Sequence, residues 1–258
     1  KTDSSKVTLG NVSGSVGFTI EGPNDADDNT RSGWSVSNAG DVNGDGLADL
    51  LVGAYSYDAP TIPAPGASYV VFGKTSGTSI KLDDVAAGSG GFIINGQCEY
   101  DYAGFSVSTA GDINGDGLAD LLIGTYNASG AGNKAYVVYG QTGTSAIILS
   151  AVANGVGGFL ISGAVDLGNR SVSIAGDLNG DGYTDLVVAA GTASTSYVIY
   201  GGPQYITGNI ALGTGKSADE LVIGTSGNDT LQGNGGVDRF SAGAGNDTIV
   251  LKASDVTN

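Results

Sequence analysis

Histidine is absent from this 258-residue chain, and cysteine and basic residues are scarce. Without histidine, the chain lacks the commonest general base, every Ser-His or Cys-His nucleophile pair and the usual zinc chemistry. The single cysteine, Cys98, cannot form an internal disulfide, and we expect it to be a small buried apolar residue. Ten Lys and Arg against 26 Asp and Glu give a net charge of −16, which predicts no nucleic-acid partner and an affinity for cations.

Long apolar runs are also missing. No stretch approaches the roughly 18–20 residues of a membrane span, so we expect no membrane insertion. The polar opening KTDSSKVTLG does not resemble a signal peptide. Glycine, in contrast, is abundant at 46 residues, and it separates short runs of Val, Ile, Leu and Tyr that show no helical period. This pattern predicts an all-β protein rich in tight turns.

The strand pattern is repeated three times. The loops DVNGDGLAD (41–49), DINGDGLAD (112–120) and DLNGDGYTD (177–185) are each preceded by a GF-containing run and an SVS-containing run, and each is followed by two apolar runs. Each unit therefore reads as four short strands. Their apolar residues are consecutive, as expected for strands covered on both faces. Four-stranded repeats of about 70 residues predict three β-propeller-type blades over residues 17–203.

Three blades alone would leave two open flanks, because each blade covers its faces only against its neighbours. Closed propellers have about four to eight blades. The first residues align with the segment that begins at Lys74, so we interpret residues 1–16 as a linker that follows a further, upstream blade. Two alternatives stay open. The chain is part of a longer array, or it closes by association, for instance as two copies that form a six-bladed ring.

The C-terminal region has a different period. After residues 204–223, which we interpret as a linker with a degenerate strand, residues 224–250 repeat every nine residues as GTSGNDTLQ, GNGGVDRFS and AGAGNDTIV. The aspartates at the same position of each repeat are Asp229, Asp238 and Asp247. Such Gly-rich nonapeptides are typical of a calcium-bound parallel β-roll, and we expect a short roll-like segment over residues 224–258. The alternative is a Gly- and Asp-rich linker.

The three acidic loops predict calcium sites. Ca²⁺ takes six to eight oxygen ligands, and in D-x-N-x-D-G-x-x-D the side chains at positions 1, 3, 5 and 9 and the carbonyl at position 7 supply oxygens. The predicted ligands are Asp41, Asn43, Asp45, Leu47 and Asp49 in the first loop; Asp112, Asn114, Asp116, Leu118 and Asp120 in the second; and Asp177, Asn179, Asp181, Tyr183 and Asp185 in the third.

An EF-hand would need Glu at position 12, where this chain has Val52, Ile123 and Val188, and a strand rather than a helix follows each loop. The simpler alternative is a set of solvated Asx turns. Three copies with the same oxygen positions favour calcium over that alternative. Binding of this kind would stabilise the folded chain and reduce its self-repulsion, so we predict that Ca²⁺ is structural.

The repeat resembles the FG-GAP repeat of integrin α-subunit β-propellers, including its blade-borne calcium loop. The "FG" signature is degraded to GWS, GFS and NRS, and the "GAP" signature to GAY, GTY and AAG. The tail resembles the RTX nonapeptide repeats of proteins secreted by bacterial type I systems. Together they are similar to parts of large bacterial adhesins. The resemblance implies an extracellular or cell-surface location, folding in external calcium and a role in adhesion.

Ligand-binding residues are expected on the segments that vary between the repeats. Aromatic and acidic side chains there would suit a glycan or a protein ligand, and they are Tyr55, Tyr57, Asp58, Tyr100, Asp101 and Tyr102. The alternative is ordinary solvated turns. Trp34 and Phe105 hold equivalent positions before two calcium loops and are expected in the core; Arg170 takes that place in the third repeat, where it would weaken the blade or pair with Asp166.

Three classes of function follow. The first is a calcium-stabilised binding or adhesion module, and the second is a purely structural spacer. The third is an accessory domain of a secreted hydrolase or lyase, since such modules also accompany those enzymes. An enzyme without histidine would need a carboxylate pair, and the only loose pairs are Glu21 with Asp25 and Glu99 with Asp101. We therefore predict that this chain is not itself an enzyme.

Overall fold

The chain is an all-β protein, as predicted, in a computed structural model. The described residues are 12, 17–23, 30–58, 63–126, 133–163, 172–190, 195–202, 209–212, 220–223, 230–232, 239–241, 246 and 248–250. Within them, no helix is long and apolar enough to cross a membrane.

Among the described residues, fourteen strands precede residue 200 and five short strands follow it. The first group is β1 (Ile20–Glu21), β2 (Ser35–Gly40), β3 (Asp49–Ala54), β4 (Ala67–Val71), β5 (Ile80–Lys81), β6 (Gly91–Asn95), β7 (Ser106–Gly111), β8 (Asp120–Gly124), β9 (Ala135–Val138), β10 (Ile147–Ile148), β11 (Gly158–Gly163), β12 (Val172–Gly176), β13 (Asp185–Ala190) and β14 (Thr195–Ile199). The second group is β15 (Asn209–Leu212), β16 (Glu220–Ile223), β17 (Thr230–Gln232), β18 (Arg239–Ser241) and β19 (Thr248–Val250).

The antiparallel blades are offset by one strand from the sequence repeat. Blade 1 is β2-β3-β4-β6 and blade 2 is β7-β8-β9-β11, so each blade takes its fourth strand from the start of the next repeat. Blade 3 contains β12-β13-β14. The prediction that the four strands of one repeat form one sheet is therefore wrong, because the strand that begins each of the second and third repeats completes the preceding blade. β1 is left without a blade of its own and pairs only with β5 in the described part of the chain.

Apolar cores fill the spaces between successive blades. The first packs one face of blade 1, with Leu51 and Phe92, against Leu121 and Tyr136 of blade 2. The second packs the other face of blade 2 against blade 3. Every residue of β4, β8 and β9 is buried. This confirms the expectation, drawn from their consecutive apolar residues, that these strands are covered on both faces.

Two single-turn helices were not predicted. They are α1 (Leu82–Ala86) and α2 (Leu149–Ala153), and each follows the short outer strand β5 or β10. Each contributes two side chains to a core, Leu82 with Val85 and Leu149 with Val152. Five residues are too few to show a helical period in the sequence, and their burial against a blade supplies the stability that such a short helix lacks alone.

The C-terminal strands form the parallel pairing of a β-roll. Leu221 pairs with Arg239 and Thr230 with Thr248, so each strand pairs with the strand two nonapeptides further along, and successive strands alternate between two sheets. Segment 204–223, predicted to be a linker with one degenerate strand, contains both β15 and β16. β15 pairs with β11 in parallel, which joins the roll to the outer edge of blade 2.

Candidate calcium loops and aromatic surface

The three acidic loops occupy the same place in each blade. Each connects the first strand of a blade, β2, β7 or β12, to the second, β3, β8 or β13. The register shifts at the end of each hairpin, between Asn38 and Gly40 in blade 1 and at the matching residues of the others. This bulge turns the chain out of the sheet at the start of each loop. All three loops therefore lie at one end of the hairpins.

Positions 1, 3 and 5 converge within each loop. One carboxylate oxygen of Asp41 accepts hydrogen bonds from the N–H groups of Gly44 (2.8 Å) and Asp45 (3.0 Å), and the other accepts from Gly46 (2.9 Å). The Asn43 carboxamide donates to the Asp45 carboxylate (3.0 Å) and accepts from the Asp45 N–H (2.8 Å). The second and third loops repeat these bonds at every matching position.

The aspartate at position 9 has a role that the sequence did not reveal. Asp49 is buried, and its two oxygens accept from the N–H groups of Val42 (2.9 Å) and Gly73 (2.7 Å). The first bond closes the loop, and the second ties it to the end of the third strand of the blade. Asp120 and Asp185 do the same with the N–H groups of Ile113 and Gly140, and of Leu178 and Gly201.

Negative charge is concentrated in these loops. Each holds three aspartates and no basic residue. The pKa of Asp120 is raised to about 7, mainly by burial and to a smaller extent by the charges of Asp116 and Asp112, against the lowering effect of its two backbone hydrogen bonds. The pKa of Asp49 is raised by burial and, to a smaller extent, by Asp45 and Asp41. A bound cation would offset this repulsion.

The oxygen donors of each loop fit calcium in their chemistry. They are hard carboxylate and carboxamide oxygens held close together by the hydrogen bonds above. One oxygen of the aspartate at position 1 already accepts two hydrogen bonds, and the other oxygens each keep a second lone pair for a metal. In the described residues, however, no group of three or more Asp, Glu, His or Cys side chains is arranged to hold a metal ion by itself. A calcium site in a loop would therefore also draw on the Asn oxygen and on the carbonyl at position 7.

Neighbouring loops contact each other. A Cβ at Gly44 would lie 3.1 Å from the side chain of Leu118, and one at Gly115 would lie 3.1 Å from the ring of Tyr183. The side chain at position 7 of one loop thus packs on the glycine at position 4 of the preceding loop. A backbone hydrogen bond also joins the first two loops. The order of each loop is thereby coupled to the packing between blades.

The opposite ends of the first two hairpins carry a cluster of aromatic rings. Trp34 and Tyr55 flank β2 and β3, with ring centroids 5.0 Å apart, and Phe105 and Tyr126 flank β7 and β8 at 5.4 Å. The rings join into one aromatic surface, in which successive centroids lie within 6.3 Å. Its members are Trp34, Tyr55, Tyr100, Tyr102, Phe105 and Tyr126. The matching end of blade 3 lies outside the described residues.

Three residues at this surface have left-handed backbones. Arg31, Tyr100 and Tyr102 have φ of 50°, 57° and 47°. Such conformations cost non-glycine residues roughly 1–3 kcal/mol each and tend to occur at functional sites. The Arg31 guanidinium lies 5.8 Å from the centre of the Tyr55 ring. Tyr100 and Tyr102 also donate backbone hydrogen bonds to Pro63 and Ala64, so a second loop holds their segment in place.

The candidate ligand residues fall into two groups. Tyr55, Tyr100 and Tyr102 belong to the aromatic surface. Tyr57 instead packs against the core that contains α1. Asp58 is exposed and accepts the Ala64 N–H at 2.5 Å, which closes the neighbouring loop. Asp101 is buried, with its carboxylate 3.8 Å from the Lys134 ammonium, and its backbone carbonyl accepts the N–H of Tyr126, a member of the aromatic surface.

Two predictions of burial were wrong. Trp34 is 53% exposed and Phe105 is half-buried, because both stand beyond the end of a strand rather than inside a sheet. Cys98 is exposed, since it lies in the segment between β6 and β7. Tyr126 is also part of the aromatic surface, although it was not among the predicted ligand residues. Its place two residues after β8, matching Tyr55 after β3, was the available signal.

Comparison with known proteins identifies the repeats. The FG-GAP repeat model matches residues 32–71, 103–146 and 168–206, and the model of the RTX calcium-binding nonapeptide repeat (4 copies) matches residues 214–249. The RTX match begins earlier than the predicted residue 224 and includes β16. Asp229, Asp238 and Asp247 lie within the match but outside the described residues.

Proteins with related sequences include integrins and a phospholipase. The chain is 31% identical to integrin alpha-5 of Xenopus laevis over 66% of its own length and 16% of the relative's, and 28% identical to integrin alpha-4 of the same organism over 65% and 15%. It is 32% identical to the phosphatidylinositol-glycan-specific phospholipase D of Rattus norvegicus, over 73% and 21%. The chain thus spans about a fifth or less of these relatives.

The chain therefore contains three FG-GAP repeats followed by RTX calcium-binding nonapeptide repeats, as the resemblance implied, and calcium is confirmed as its cofactor.

Proposed function

From this composition of FG-GAP and RTX repeats, we propose that the chain is a calcium-stabilised binding module of a secreted or cell-surface protein. An adhesive role is supported by the similarity to integrins, and bacterial type I secretion by the RTX repeats. The module itself is not catalytic on this proposal. It presents a ligand-binding surface on a scaffold that calcium holds together.

The calcium role rests on the three hydrogen-bonded loops. We assign the side chains at positions 1, 3, 5 and 9 and the carbonyl at position 7 as ligands in each, and the RTX aspartates as ligands in the tail. The ion supplies the positive charge that three aspartates per loop require. Because neighbouring loops pack on each other, binding in one loop also supports the contact between two blades.

The aromatic surface is the proposed ligand site, and its exposed rings are the observation that carries the proposal. Trp34, Tyr100 and Tyr126 are each more than a third exposed, and each donates a backbone hydrogen bond outside the sheets. The backbone is left-handed at Tyr100 itself and at Arg31, the acceptor for Trp34. Exposed rings clustered in this way are typical of recognition surfaces. Flat faces with neighbouring polar groups suit the apolar faces of sugar rings. We therefore propose a glycan ligand, with a peptide as the competing outcome of the test.

The similarity to a phospholipase does not favour an enzyme. The integrins match the same repeats of this chain, so the shared part is the repeat and not a catalytic centre. One of the two loose carboxylate pairs is also unsuited to acid–base chemistry, because Asp101 is buried whereas Glu99 is exposed.

The test is binding to glycan and peptide arrays in millimolar calcium. We expect glycan hits, and titration of the best hit should show about a tenfold weaker affinity, or 1.4 kcal/mol, for Trp34→Ala and Tyr126→Ala. Ile148→Ala is the control, since Ile148 is 53% exposed, like Trp34, but lies on the outer strand β10. Its affinity should equal that of the unmodified chain.

Three outcomes decide between the classes of function. Glycan binding that the two aromatic variants weaken supports the proposal. Binding only to peptides would change the proposed ligand from a glycan to a peptide. No hit on either array would favour the structural spacer. Turnover of a polysaccharide or phosphodiester that Glu99→Gln abolishes would overturn the non-catalytic assignment.

A further inference from the structure

Most of the outer face of blade 1 is covered by α1, β1 and β5, but the outer faces of blades 1 and 3 each expose an apolar position that is buried between blades elsewhere in the chain. On blade 1, Val36 is 67% exposed, whereas Val107 at the same position of blade 2 is 9% exposed. On the other side of blade 3, Leu178 is 58% exposed, whereas Val42 and Ile113 at the same position are fully buried. The two flanks thus carry the apolar side chains that form the cores between blades elsewhere in the chain.

Close approaches of glycine show the same asymmetry. A Cβ at Gly111 would lie 2.6 Å from the side-chain oxygen of Thr184 in the next blade. At Gly176, the matching residue of blade 3, a Cβ would meet nothing within 4 Å. Ala48, which occupies the position of Thr184 in the first repeat, is exposed. One flank therefore has the open space, and the other has the residue that would fill it.

Two strand edges are also complementary. β1 matches β6 and β11 in sequence, since GFTIEG corresponds to GFIING and GFLISG. β6 and β11 each complete a blade by pairing with its third strand, but β1 pairs only with β5 in the described residues. β14 is the third strand of blade 3, and in the same described part no strand pairs with its outer edge.

We propose that a second copy of this chain covers both flanks. Blade 3 of one copy packs against blade 1 of the other, and β1 of the partner becomes the fourth strand of blade 3. The contact occurs twice, and the two copies close a six-bladed ring. Two copies satisfy the limit of about four to eight blades, which three copies of three blades would exceed. Each contact reproduces an interface that the chain already makes between its own blades.

The register of the new strand pair follows from the existing pairs. Tyr69 pairs with Ile93 in blade 1, and Tyr136 pairs with Leu160 in blade 2. The same register places Tyr197 of one copy opposite Thr19 of the other. Calcium should be required for this contact, because the third loop of one copy and the first loop of the other would be brought together, and each holds three aspartates.

Light scattering tests the association. In millimolar calcium we expect a mass of about twice the 25.4 kDa chain, and the single-chain mass in EGTA. Val36→Asp on one flank and Val198→Asp on the other should each give a monomer in calcium. Both side chains are exposed within the single chain, so the fold should tolerate the charge. Val156→Asp is the control, because Val156 is 65% exposed in the turn after α2 and should leave the dimer intact.

Cross-linking tests the register. In a Cys98→Ser background, chains with Thr19→Cys mixed with chains with Tyr197→Cys should form a disulfide-linked pair. A mixture of Thr19→Cys and Ser196→Cys should not, because adjacent residues of a strand point to opposite faces. A monomer at every concentration in calcium, an open series of larger species, or a dimer that survives both flank substitutions would overturn the proposal.

Discussion

The loops at the two ends of the blade hairpins differ in how closely they repeat from blade to blade. At one end, three nine-residue loops repeat the same hydrogen bonds, residue for residue. At the other end, the first two repeats differ in sequence and loop length, and they carry the aromatic surface. On the proposed calcium role, coordination chemistry fixes the first end, because a lost oxygen would remove a ligand. The second end is free to vary on a rigid scaffold, as binding loops usually are.

Removing calcium should have the largest effect and should act on the acidic end. At a calcium concentration about 100 times the Kd, binding to the folded state adds about 2.7 kcal/mol per site, or about 8 kcal/mol for three loops. For a chain of this size we expect the melting temperature to fall by roughly 15–30 °C in EGTA. Scanning calorimetry or circular dichroism would measure the shift.

Magnesium distinguishes a specific ion from simple charge screening. EGTA with millimolar Mg²⁺ should leave the melting temperature low, because Mg²⁺ requires a smaller octahedral site and gives up its water reluctantly. An unchanged melting temperature in EGTA would remove the distinction between the two ends, since the loops would then be ordinary hydrogen-bonded turns.

Substitution of two aspartates of the second loop, one at a time, should distinguish the loss of metal binding from the loss of loop closure. Asp120→Ala leaves the N–H groups of Ile113 and Gly140 unsatisfied, at a cost of about 2–3 kcal/mol that should persist in EGTA. Asp116→Ala removes an exposed carboxylate, so its destabilisation should be present in calcium and nearly absent in EGTA. Urea unfolding of both variants with and without calcium measures the difference. Equal losses in EGTA would contradict the structural role of Asp120.

The acidic end was recognisable from sequence, because the groups that form the internal hydrogen bonds of each loop lie within nine consecutive residues, and their role as calcium ligands stays a prediction. The aromatic surface was only partly predictable, because it unites residues from segments far apart in the chain. Tyr55 and Tyr102 were identified, but Trp34 was assigned to the core. Its equivalence to Phe105 showed that the two residues share a position in the repeat, but not how far either side chain is buried. The second role of Asp49 was hidden for the same reason, since Gly73, whose N–H it accepts, follows a different strand.

A matched pair of glycines tests how closely the blades pack on each other. Gly111 and Gly176 have the same left-handed backbone, with φ of 65° and 73°, so alanine costs both about 1 kcal/mol. In a monomeric Val198→Asp background, Gly111→Ala should cost roughly 1–3 kcal/mol more, because its Cβ would meet Thr184. Urea unfolding measures both. In the unmodified dimer the two losses should become similar, and equal losses in the monomer would contradict the close approach at Gly111.

The smallest effect is expected at Cys98, near the aromatic end. The thiol is exposed, so Cys98→Ser should change the free energy of unfolding by less than about 0.5 kcal/mol. Partial burial and the charge of Asp101 raise the pKa of the thiol, so less of it is thiolate at neutral pH. The rate of labelling by a thiol reagent should therefore still increase above the ordinary thiol pKa of about 8.5. A glycan bound at the aromatic surface should slow this labelling, because Tyr100 is two residues away. If labelling were unaffected at saturating ligand, the ligand site would lie away from Tyr100.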